Sequence, residues 1–467
     1  MLTGAFITEG PQDWQIFQQR DGKASFKISG RYHVEEAVLE EEQNSLESAQ
    51  VFVRVLEEKT GRVVKNWVPC SMLENQEWKM EVTIPTGGLY RVETILSLDE
   101  KRAALEWSFR GDMIRHLGVG DVYVIAGQSN SAGYGRDSVY DPPELGIHLL
   151  YNNGNWDIAS HPMNDSTGTI HEVNAERANS GHSPYLSFAR RLKQVLNYPI
   201  GLVQCSLGGT SLGDWSTDKA EGLYANMIQT IRSQNGVKGI LWYQGCSDTY
   251  DDSYKKYEEN FTHLVQETRA ALQCPKLPWL TVQLNRVTQK NQHSDVSWGS
   301  VREAQRQAAH HIPNVTIIPT TDLGMSDEIH NSCSANLIIG ERMAEMALYS
   351  IYGKTDRLAN APDLREAGYC PSTQKVTLIF DHVQDRLFDY SAEMPFMVED
   401  ASGENDITAL EIEGDKVHLM LSRPLDGKGV VHGEWQANPS PLPVMDIVTH
   451  LPILSFYEVE IRNITEV

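Results

Sequence analysis

The fold of this chain is decided by residues 121–133, DVYVIAGQSNSAG. The first half is an unbroken apolar run, which is typical of a strand buried on both faces of a parallel sheet. Ser129 follows it in a Gly-Gln-Ser-Asn turn. Parallel sheets carry their chemistry at the carboxyl ends of their strands, where the amide groups of a following helix supply positive potential. The turn therefore makes Ser129 a candidate nucleophile, although serine also opens many helices for structural reasons alone.

Two further apolar strands end in groups that can stabilise an oxyanion. Residues 200–206 lead into CSLGGTS at 205–211, where adjacent glycines let backbone N–H groups approach a ligand closely. Residues 239–248, GILWYQGCSD, contain Gln244 at the end of a third strand. We therefore predict an oxyanion hole made by the backbone N–H groups of Ser129 and Gly209 and by the Gln244 amide. An ordinary glycine turn is the alternative for the first segment.

A carboxylate and a histidine stand three residues apart in SDEIH, residues 326–330. On a turn, this spacing lets Asp327 orient the imidazole of His330 and stabilise its charged form, as a serine triad requires. A surface Asp–His pair is the alternative, and Glu328 is a rival for the orienting carboxylate. Taken with the other strand ends, the pattern favours one catalytic site with a serine nucleophile, His330 as base and Asp327 as orienting acid.

Together these segments resemble the carbohydrate acetylesterases related to sialate O-acetylesterase, a branch of the SGNH hydrolase superfamily. The matching motifs are Gly127-Gln128-Ser129-Asn130, Gly208-Gly209-Thr210-Ser211, Trp242-Tyr243-Gln244-Gly245 and Asp327-Glu328-Ile329-His330. The resemblance implies the roles given above for the serine, the histidine, the aspartate and the oxyanion donors. It also implies an acyl-serine mechanism that needs no metal and no organic cofactor. The candidate substrate-binding residues are Gln128, Asn130 and Arg136. A sialic acid carboxylate would need a local cation such as Arg136 or Arg302, although both could equally be surface or helix-packing residues.

The chain departs from the family pattern at two positions. The family usually has Glu after the Gln-Gly pair, where this chain has Cys246, and the change puts the hydrogen bonding around the site in doubt. No histidine or cation stands beside Cys246 in sequence to stabilise a thiolate, so we predict a packed, unreactive thiol. The residue after the histidine is often proline, and here it is Asn331, which we expect to be harmless.

Composition and charge exclude some classes of partner. The chain has 467 residues, with 40 Lys plus Arg and 63 Asp plus Glu, and its net charge of −23 argues against nucleic acid or an anionic membrane. Residues 1–20 show no secretory signal, and no apolar run is long enough to span a bilayer. Six scattered cysteines favour reduced thiols. We therefore expect a cytoplasmic protein, or a secreted one if a leader was removed, of open oligomeric state.

The pattern changes character twice along the chain. Short alternating runs between turn residues predict an N-terminal β domain over residues 1–114. Apolar strands that alternate with helical stretches then predict a parallel sheet between helices over residues 115–358. The resemblance implies that this region is a three-layer α/β/α hydrolase domain of SGNH type. Short strands return and predict a C-terminal β domain over residues 359–467, both flanking domains being sandwich-like. Neither junction is rich in Gly and Ser, so we expect tight joints.

The sequence thus predicts a serine esterase that removes O-acetyl groups from an acetylated carbohydrate substrate. Two alternatives stay open. One is a carbohydrate-binding protein that has lost catalysis, which would fit the flanking β domains and the change at Cys246. The other is an esterase of the wider superfamily that acts on non-carbohydrate esters, although the small polar segment at residues 131–137 offers no apolar groove for a long acyl chain.

Overall fold

The computed structural model describes residues 2–42, 48–98, 108–288, 294–391 and 393–464. The α-helices in these residues are α1 (Glu36–Glu42), α2 (Ser129–Ala132), α3 (Tyr185–Leu196), α4 (Leu223–Ser233), α5 (Tyr257–Ala271), α6 (Asp295–His311) and α7 (Cys333–Ser350). None of the helices in the described part of the chain is long and apolar enough to cross a membrane.

The strands fall into three groups along the chain. The first group is β1 (Gly4–Glu9), β2 (Ile16–Gln18), β3 (Lys23–His33), β4 (Gln50–Glu57), β5 (Val63–Pro69), β6 (Ser71–Met72), β7 (Glu77–Pro85) and β8 (Gly87–Ser97). The second is β9 (Ser108–Gly127), β10 (Ile147–Leu150), β11 (Trp156–Ile158), β12 (Ile200–Gln204), β13 (Gly239–Tyr243), β14 (Trp279–Val282) and β15 (Val315–Ile318). The third is β16 (Asp363–Cys370), β17 (Lys375–Asp381), β18 (Leu387–Asp389), β19 (Phe396–Asp400), β20 (Gly403–Glu404), β21 (Ile407–Glu413), β22 (Lys416–Leu421), β23 (Gly429–Gly433), β24 (Val444–Asp446) and β25 (Phe456–Asn463).

The central sheet is built on the second half of β9, which contains the apolar run of the deciding stretch. The strand order is β11-β10-β12-β9-β13-β14-β15, and neighbours from β10 to β15 are parallel. All residues of β12 and β13 are buried, as the unbroken apolar runs predicted. The chain order reverses at β9, which therefore ends beside both β12 and β13. Crevices at such reversals are the usual ligand sites of open parallel sheets.

Helices cover both faces of this sheet. Tyr123 on β9 packs edge-on against Phe188 of α3, with ring centroids 5.0 Å apart, and α3 packs against α7. Trp242 on β13 is paired with Ala126 and packs on Phe261 of α5, which in turn packs on α6. Ala126 is three residues from Tyr123 and so faces the other side of the pleated strand. The predicted mixed α/β class is confirmed, with helices on both sides of a parallel sheet.

The N-terminal strands share β9 with the central sheet. The first half of β9 pairs antiparallel with β8, which continues to β4 and β5. A second sheet, β1-β3-β7-β6, packs on these strands over a core that includes Phe26, Val53 and Trp78. The boundary predicted between residues 114 and 115 falls inside the 20-residue strand β9. Ladder hydrogen bonds of one strand therefore connect the two regions directly.

The C-terminal strands form an eight-stranded sheet, β20-β19-β23-β25-β16-β17-β22-β21, and a separate pair, β18-β24. Arg302 of α6 holds this region to the central one. Its guanidinium donates to the carbonyl oxygen of Leu284 at 2.9 Å and to that of Gln436 at 2.6 Å. Arg302 is fully buried, so of the two roles expected for it, contact with a sugar carboxylate is excluded and packing of the helix is confirmed. Its guanidinium joins the two regions through hydrogen bonds to backbone carbonyl oxygens.

Candidate active site

The turn after β9 presents Ser129 at the carboxyl edge of the central sheet. β9 ends at Gly127 and α2 begins at Ser129, with Gln128 in an extended conformation between them. Gly127 has a φ of +129°, and a Cβ at this position would lie 2.2 Å from the carbonyl oxygen of Tyr243 on β13. Only glycine fits this approach, and it lets the chain turn from strand to helix within two residues.

The predicted serine, histidine and aspartate meet at this turn. His330 Nε2 lies 2.9 Å from Ser129 Oγ, and His330 Nδ1 lies 2.7 Å from Asp327 Oδ2. Asp327 Oδ1 accepts the backbone N–H groups of Ile329 at 2.9 Å and His330 at 2.8 Å. Partial burial acts to raise the pKa of Asp327, but the bond to His330 and these two N–H groups outweigh it, so the pKa lies below its ordinary value. The carboxylate in contact with His330 is thus that of Asp327, and its rival Glu328 makes no side-chain hydrogen bond to His330 among the described residues.

The histidine-bearing loop is fastened to α2 by Asn130. The Asn130 side chain donates to the carbonyl oxygen of Ile329 at 3.2 Å and accepts the N–H of Asn331 at 3.0 Å. The Asn331 side chain donates to the Tyr243 hydroxyl at 3.0 Å and accepts from Asn285 at 3.0 Å. A proline at this position would have no N–H for Asn130, so Asn331 adds a hydrogen bond here, and the expectation that the change is harmless stays a prediction.

Gln128 and Asn130 have tasks other than the substrate contacts that we predicted. Their exposed fractions are only 3% and 2%. Gln128 Oε1 accepts the N–H of Gly245 at 2.9 Å, and its Nε2 donates to Ser247 Oγ at 3.3 Å. Gln128 therefore joins the end of β9 to the turn after β13, while Asn130 holds the histidine loop. Both position the catalytic groups from inside the protein.

The turn after β12 supplies a backbone donor. The N–H of Gly208 donates to Glu176 Oε2 at 2.8 Å, whereas the N–H of Gly209 has no acceptor among the described residues. The N–H of Ser129, in the first turn of α2, also has no acceptor within the described part of the chain. No described atom lies within 4 Å of the position that a Cβ of Gly209 would take. Both predicted backbone donors are therefore available to a ligand.

Gln244 does not have the free amide that we predicted for an oxyanion donor. It is fully buried, and its Nε2 donates to Asp248 Oδ2 at 2.5 Å, to the carbonyl oxygen of Thr210 at 3.1 Å and to Gln128 Oε1 at 3.3 Å. Two amide protons shared among three acceptors leave none for an oxyanion in this arrangement. Asp248 also accepts the N–H of Leu212 at 3.1 Å, and burial raises its pKa to about 6. Gln244 thus holds the Gly208–Gly209 turn through its hydrogen bond to the carbonyl oxygen of the next residue, Thr210.

Cys246 is packed as predicted. Its exposed fraction is 2%, and burial raises the pKa of its thiol to about 12. A thiol with so little thiolate is a poor nucleophile. The position where the family usually has Glu therefore carries no second reactive group.

Arg136 lies on the exposed loop after α2, close to the catalytic histidine. Its guanidinium is 5.4 Å from the ring centre of Tyr134, and that ring is 4.7 Å from the ring of His330. One Nη donates to the carbonyl oxygen of Asn179 at 2.9 Å. Arg136 forms no salt bridge with any described residue. It is an accessible positive charge beside the site.

A cluster of Asp141, His161 and His182 has the composition of a metal site. Both histidine Nε2 atoms lie 3.0 Å from Asp141 Oδ2, and Arg190 lies 2.6 Å from Oδ1 of the same carboxylate. The N–H of Ser183 donates to His161 Nδ1 at 3.3 Å. A neutral His161 therefore carries its proton on Nε2, whereas a metal-bound Nε2 would need that proton on Nδ1. The geometry fits a hydrogen-bonded cluster closed by an arginine.

We did not predict Tyr134 and Glu176, which both contact the site. Tyr134 stands directly after the deciding stretch, and that position was the only signal for it in the sequence. Glu176 lies 32 residues before the glycine that it binds. The segment around it gives no periodic pattern that would indicate this contact.

Comparison with known proteins gives consistent results. Residues 119–349 match the model of a family described as carbohydrate esterase, sialic acid-specific acetylesterase. Over 253 residues, 49% of this chain, the sequence is 27% identical to a protein of Arabidopsis thaliana named a probable carbohydrate esterase, and the match covers 90% of that protein. A solved structure of a carbohydrate acetylesterase from Xanthomonas citri matches 95% of this chain and 97% of its own, with a TM-score of 0.64 and 21% identity. The likeness of fold extends over both flanking regions, and the resemblance indicated by the motifs is confirmed.

Proposed function

Because residues 119–349 of this chain belong to the carbohydrate esterase family of sialic acid-specific acetylesterases, we propose that the protein is a serine esterase that removes O-acetyl groups from carbohydrates. The observation that carries the proposal is the 2.9 Å contact between Ser129 Oγ and His330 Nε2. A serine beside an imidazole that a carboxylate orients is an activated nucleophile. Its place at the carboxyl edge of the parallel sheet supports the same conclusion.

The reaction proceeds in two halves. Ser129 Oγ attacks the ester carbonyl carbon while His330 takes the serine proton, and Asp327 stabilises the imidazolium. The carbonyl oxygen becomes an oxyanion that accepts hydrogen bonds from backbone N–H groups of the two turns. His330 then gives its proton to the sugar oxygen, the C–O bond to the sugar breaks, and an acetyl-serine forms. Water, deprotonated by His330, attacks this ester; the bond to Ser129 Oγ breaks, His330 returns the proton to that oxygen, and acetate leaves.

We further propose that the substrate is an O-acetylated sialic acid and that Arg136 binds its carboxylate. A chain with a net charge of −23 gives no general attraction for an anionic sugar, so a local cation is needed. Arg136 is exposed, and one tyrosine ring separates its guanidinium from the ring of His330. A guanidinium pairs with a carboxylate through two parallel hydrogen bonds.

Acetate release from a panel of substrates tests the reaction. The panel contains O-acetylated sialic acid, acetylated xylan and a short non-carbohydrate acetyl ester. We expect turnover of a sugar substrate by the unmodified protein and a loss of about 10⁴-fold or more in Ser129→Ala. Ser300→Ala is the matched control, because that hydroxyl donates to the carbonyl oxygen of Val296 within α6. Full activity of a folded Ser129→Ala variant would show that the nucleophile lies elsewhere.

A second variant tests sialic acid as the substrate. Arg136→Gln should raise KM for O-acetylated sialic acid by about tenfold, the effect of losing about 1.4 kcal/mol of binding, and leave KM for acetylated xylose unchanged. Arg177→Gln, which removes an exposed arginine of a nearby loop, serves as the control. An equal effect of Arg136→Gln on both substrates contradicts carboxylate recognition by this residue.

The two alternative functions differ in how the site supports them. A protein that has lost catalysis has no need for a serine, an imidazole and a carboxylate held within hydrogen-bond distance, so the geometry disfavours it. An esterase for other esters shares the same triad. Preferred turnover of the non-carbohydrate ester in the panel would identify it.

A further inference from the structure

Two parts of the site come from distant segments and must keep a fixed separation. The oxyanion donor lies on the Gly208–Gly209 turn, and the base lies on the loop that follows β15. Tyr134 contacts His330, and Glu176 contacts the Gly208–Gly209 turn, so the two residues together connect these parts. We call these two residues the Tyr134–Glu176 pair.

Tyr134 contacts the base. Its ring centre is 4.7 Å from that of His330, with the two planes inclined by 31°. The phenol is 8% exposed, and its hydroxyl lies on the same side of Gly208 as Glu176 Oε2. Burial, followed by the negative charge of Glu176, raises the pKa of Tyr134 above its ordinary value. The hydroxyl therefore stays protonated beside the carboxylate.

Glu176 contacts the oxyanion turn. Its Oε2 accepts the N–H of Gly208 at 2.8 Å and the side-chain N–H of Asn164 at 3.3 Å, and its Oε1 accepts the N–H of Ala178 at 3.3 Å. Three donors therefore surround this carboxylate. They disperse a negative charge that would otherwise oppose an oxyanion close by.

The identity of Gly208 follows from this contact. A Cβ on Gly208 would lie 2.7 Å from the Tyr134 hydroxyl and 2.8 Å from Glu176 Oε2. A side chain at this position would force the Tyr134 hydroxyl or the Glu176 carboxylate to move away from the turn. The glycine is needed for a close approach of the backbone to the pair.

We propose that Tyr134 and Glu176 are positioning residues that fix the oxyanion turn relative to the catalytic histidine. Glu176 takes the N–H of Gly208, which sets the orientation of that peptide and leaves the next N–H, that of Gly209, directed to the ligand. Tyr134 sets the distance between Glu176 and the ring of His330. The inference rests on the proposed esterase function and adds to it the residues that hold the two halves of the site in register.

The test compares variants that remove or keep the acceptor for Gly208. Glu176→Ala should lower kcat by about 10- to 100-fold and change KM by less than about twofold, since losing an oxyanion donor outright costs about 10²- to 10³-fold. Glu176→Gln keeps an acceptor oxygen and should retain kcat within about threefold. Tyr134→Phe keeps the ring but removes the hydroxyl that lies beside Glu176 and Gly208, and should lower kcat by about 3- to 10-fold. Glu172→Ala removes an exposed carboxylate of the same segment and should have no effect.

A transition-state mimic separates positioning from general loss of structure. A boronic acid that forms a tetrahedral adduct with Ser129 should bind more weakly to Glu176→Ala by the same factor by which kcat/KM falls. A double variant, Tyr134→Phe with Glu176→Gln, should cost less than the product of the single effects, because the two residues act through each other. Thermal melting and circular dichroism check the fold.

Three results would overturn the inference. They are a kcat of Glu176→Ala within about twofold of the unmodified protein, a loss that appears in KM alone, and a failure of Glu176→Gln to restore kcat. Tyr134→Phe provides the measurement if Glu176→Ala does not fold, since it deletes a single hydroxyl; an unchanged kcat for that variant would also refute the role. Failure of the proposed function is distinguishable, because then the unmodified protein releases no acetate or Ser129→Ala keeps its activity.

Discussion

Replacing Asp327 by asparagine tests how the tautomer of His330 is fixed. Asp327 Oδ1 accepts two backbone N–H groups, at 2.9 and 2.8 Å, while Oδ2 faces His330 Nδ1. Asparagine has a single acceptor oxygen, which these N–H groups hold on their side, so its NH2 group turns toward Nδ1. That group can only donate. The imidazole must then carry its proton on Nε2, which directs the proton at Ser129 Oγ and removes the base.

The expected loss for Asp327→Asn is about 10⁴-fold in kcat/KM, or about 5 kcal/mol of transition-state stabilisation. Asp327→Ala should be less damaging. The Asp327 side chain is 40% exposed, so water can replace the carboxylate and accept the Nδ1 proton in the alanine variant. We expect Asp327→Ala to be at least about tenfold more active than Asp327→Asn, a difference of about 1.4 kcal/mol.

The activity of both variants is measured as acetate release at saturating and at limiting substrate concentrations. Circular dichroism checks their fold. Glu328→Gln is the matched control, since Glu328 is the neighbouring carboxylate and is exposed. An asparagine variant as active as the alanine variant would refute the tautomer argument. A crippled Glu328→Gln beside a nearly normal Asp327→Asn would refute the assignment of the acid.

Three shorter predictions concern buried groups around the site. A thiol-alkylating reagent should leave activity unchanged, because Cys246 is 2% exposed and its thiol has a pKa of about 12. A serine-directed phosphonate should abolish activity, and the reverse pattern would overturn the serine mechanism. Burial raises the pKa of Glu434 to about 8. Between this pKa and the ordinary value of about 4.3, the folded state keeps a proton that the unfolded state has released. The free energy of unfolding should therefore fall as pH rises between these two values. Urea unfolding of Glu434→Gln, whose amide can still accept the N–H of Val444, should show less of this slope, and an unchanged slope would place its origin in other groups. Asn331→Pro deletes the N–H that Asn130 accepts and both side-chain bonds of Asn331, so unfolding in urea should show a loss of about 2–4 kcal/mol, and a change below about 0.5 kcal/mol would contradict the role given to this loop.

Several parts of this protein follow from local patterns in the sequence. The apolar run before Ser129 predicted a strand buried on both faces, and β9 in the structure is such a strand beside two parallel neighbours. Asp327 and His330 could be found because their contact is made within one short turn. The alternation of strands and helices predicted the parallel sheet, since a crossover helix is needed between parallel strands.

The sequence by itself determined the class of the fold and the pairing of Asp327 with His330, because these depend on periodicity and on contacts a few residues apart. Only the tertiary structure decided the tasks of Gln128, Gln244 and Arg302. The acceptors and donors that engage them are mostly distant in sequence, such as the N–H of Gly245, 117 residues from Gln128, and the carbonyl oxygen of Gln436, 134 residues from Arg302. A local pattern specifies which face of a strand is apolar, but a buried amide or guanidinium must satisfy its hydrogen bonds with whatever group the fold brings beside it.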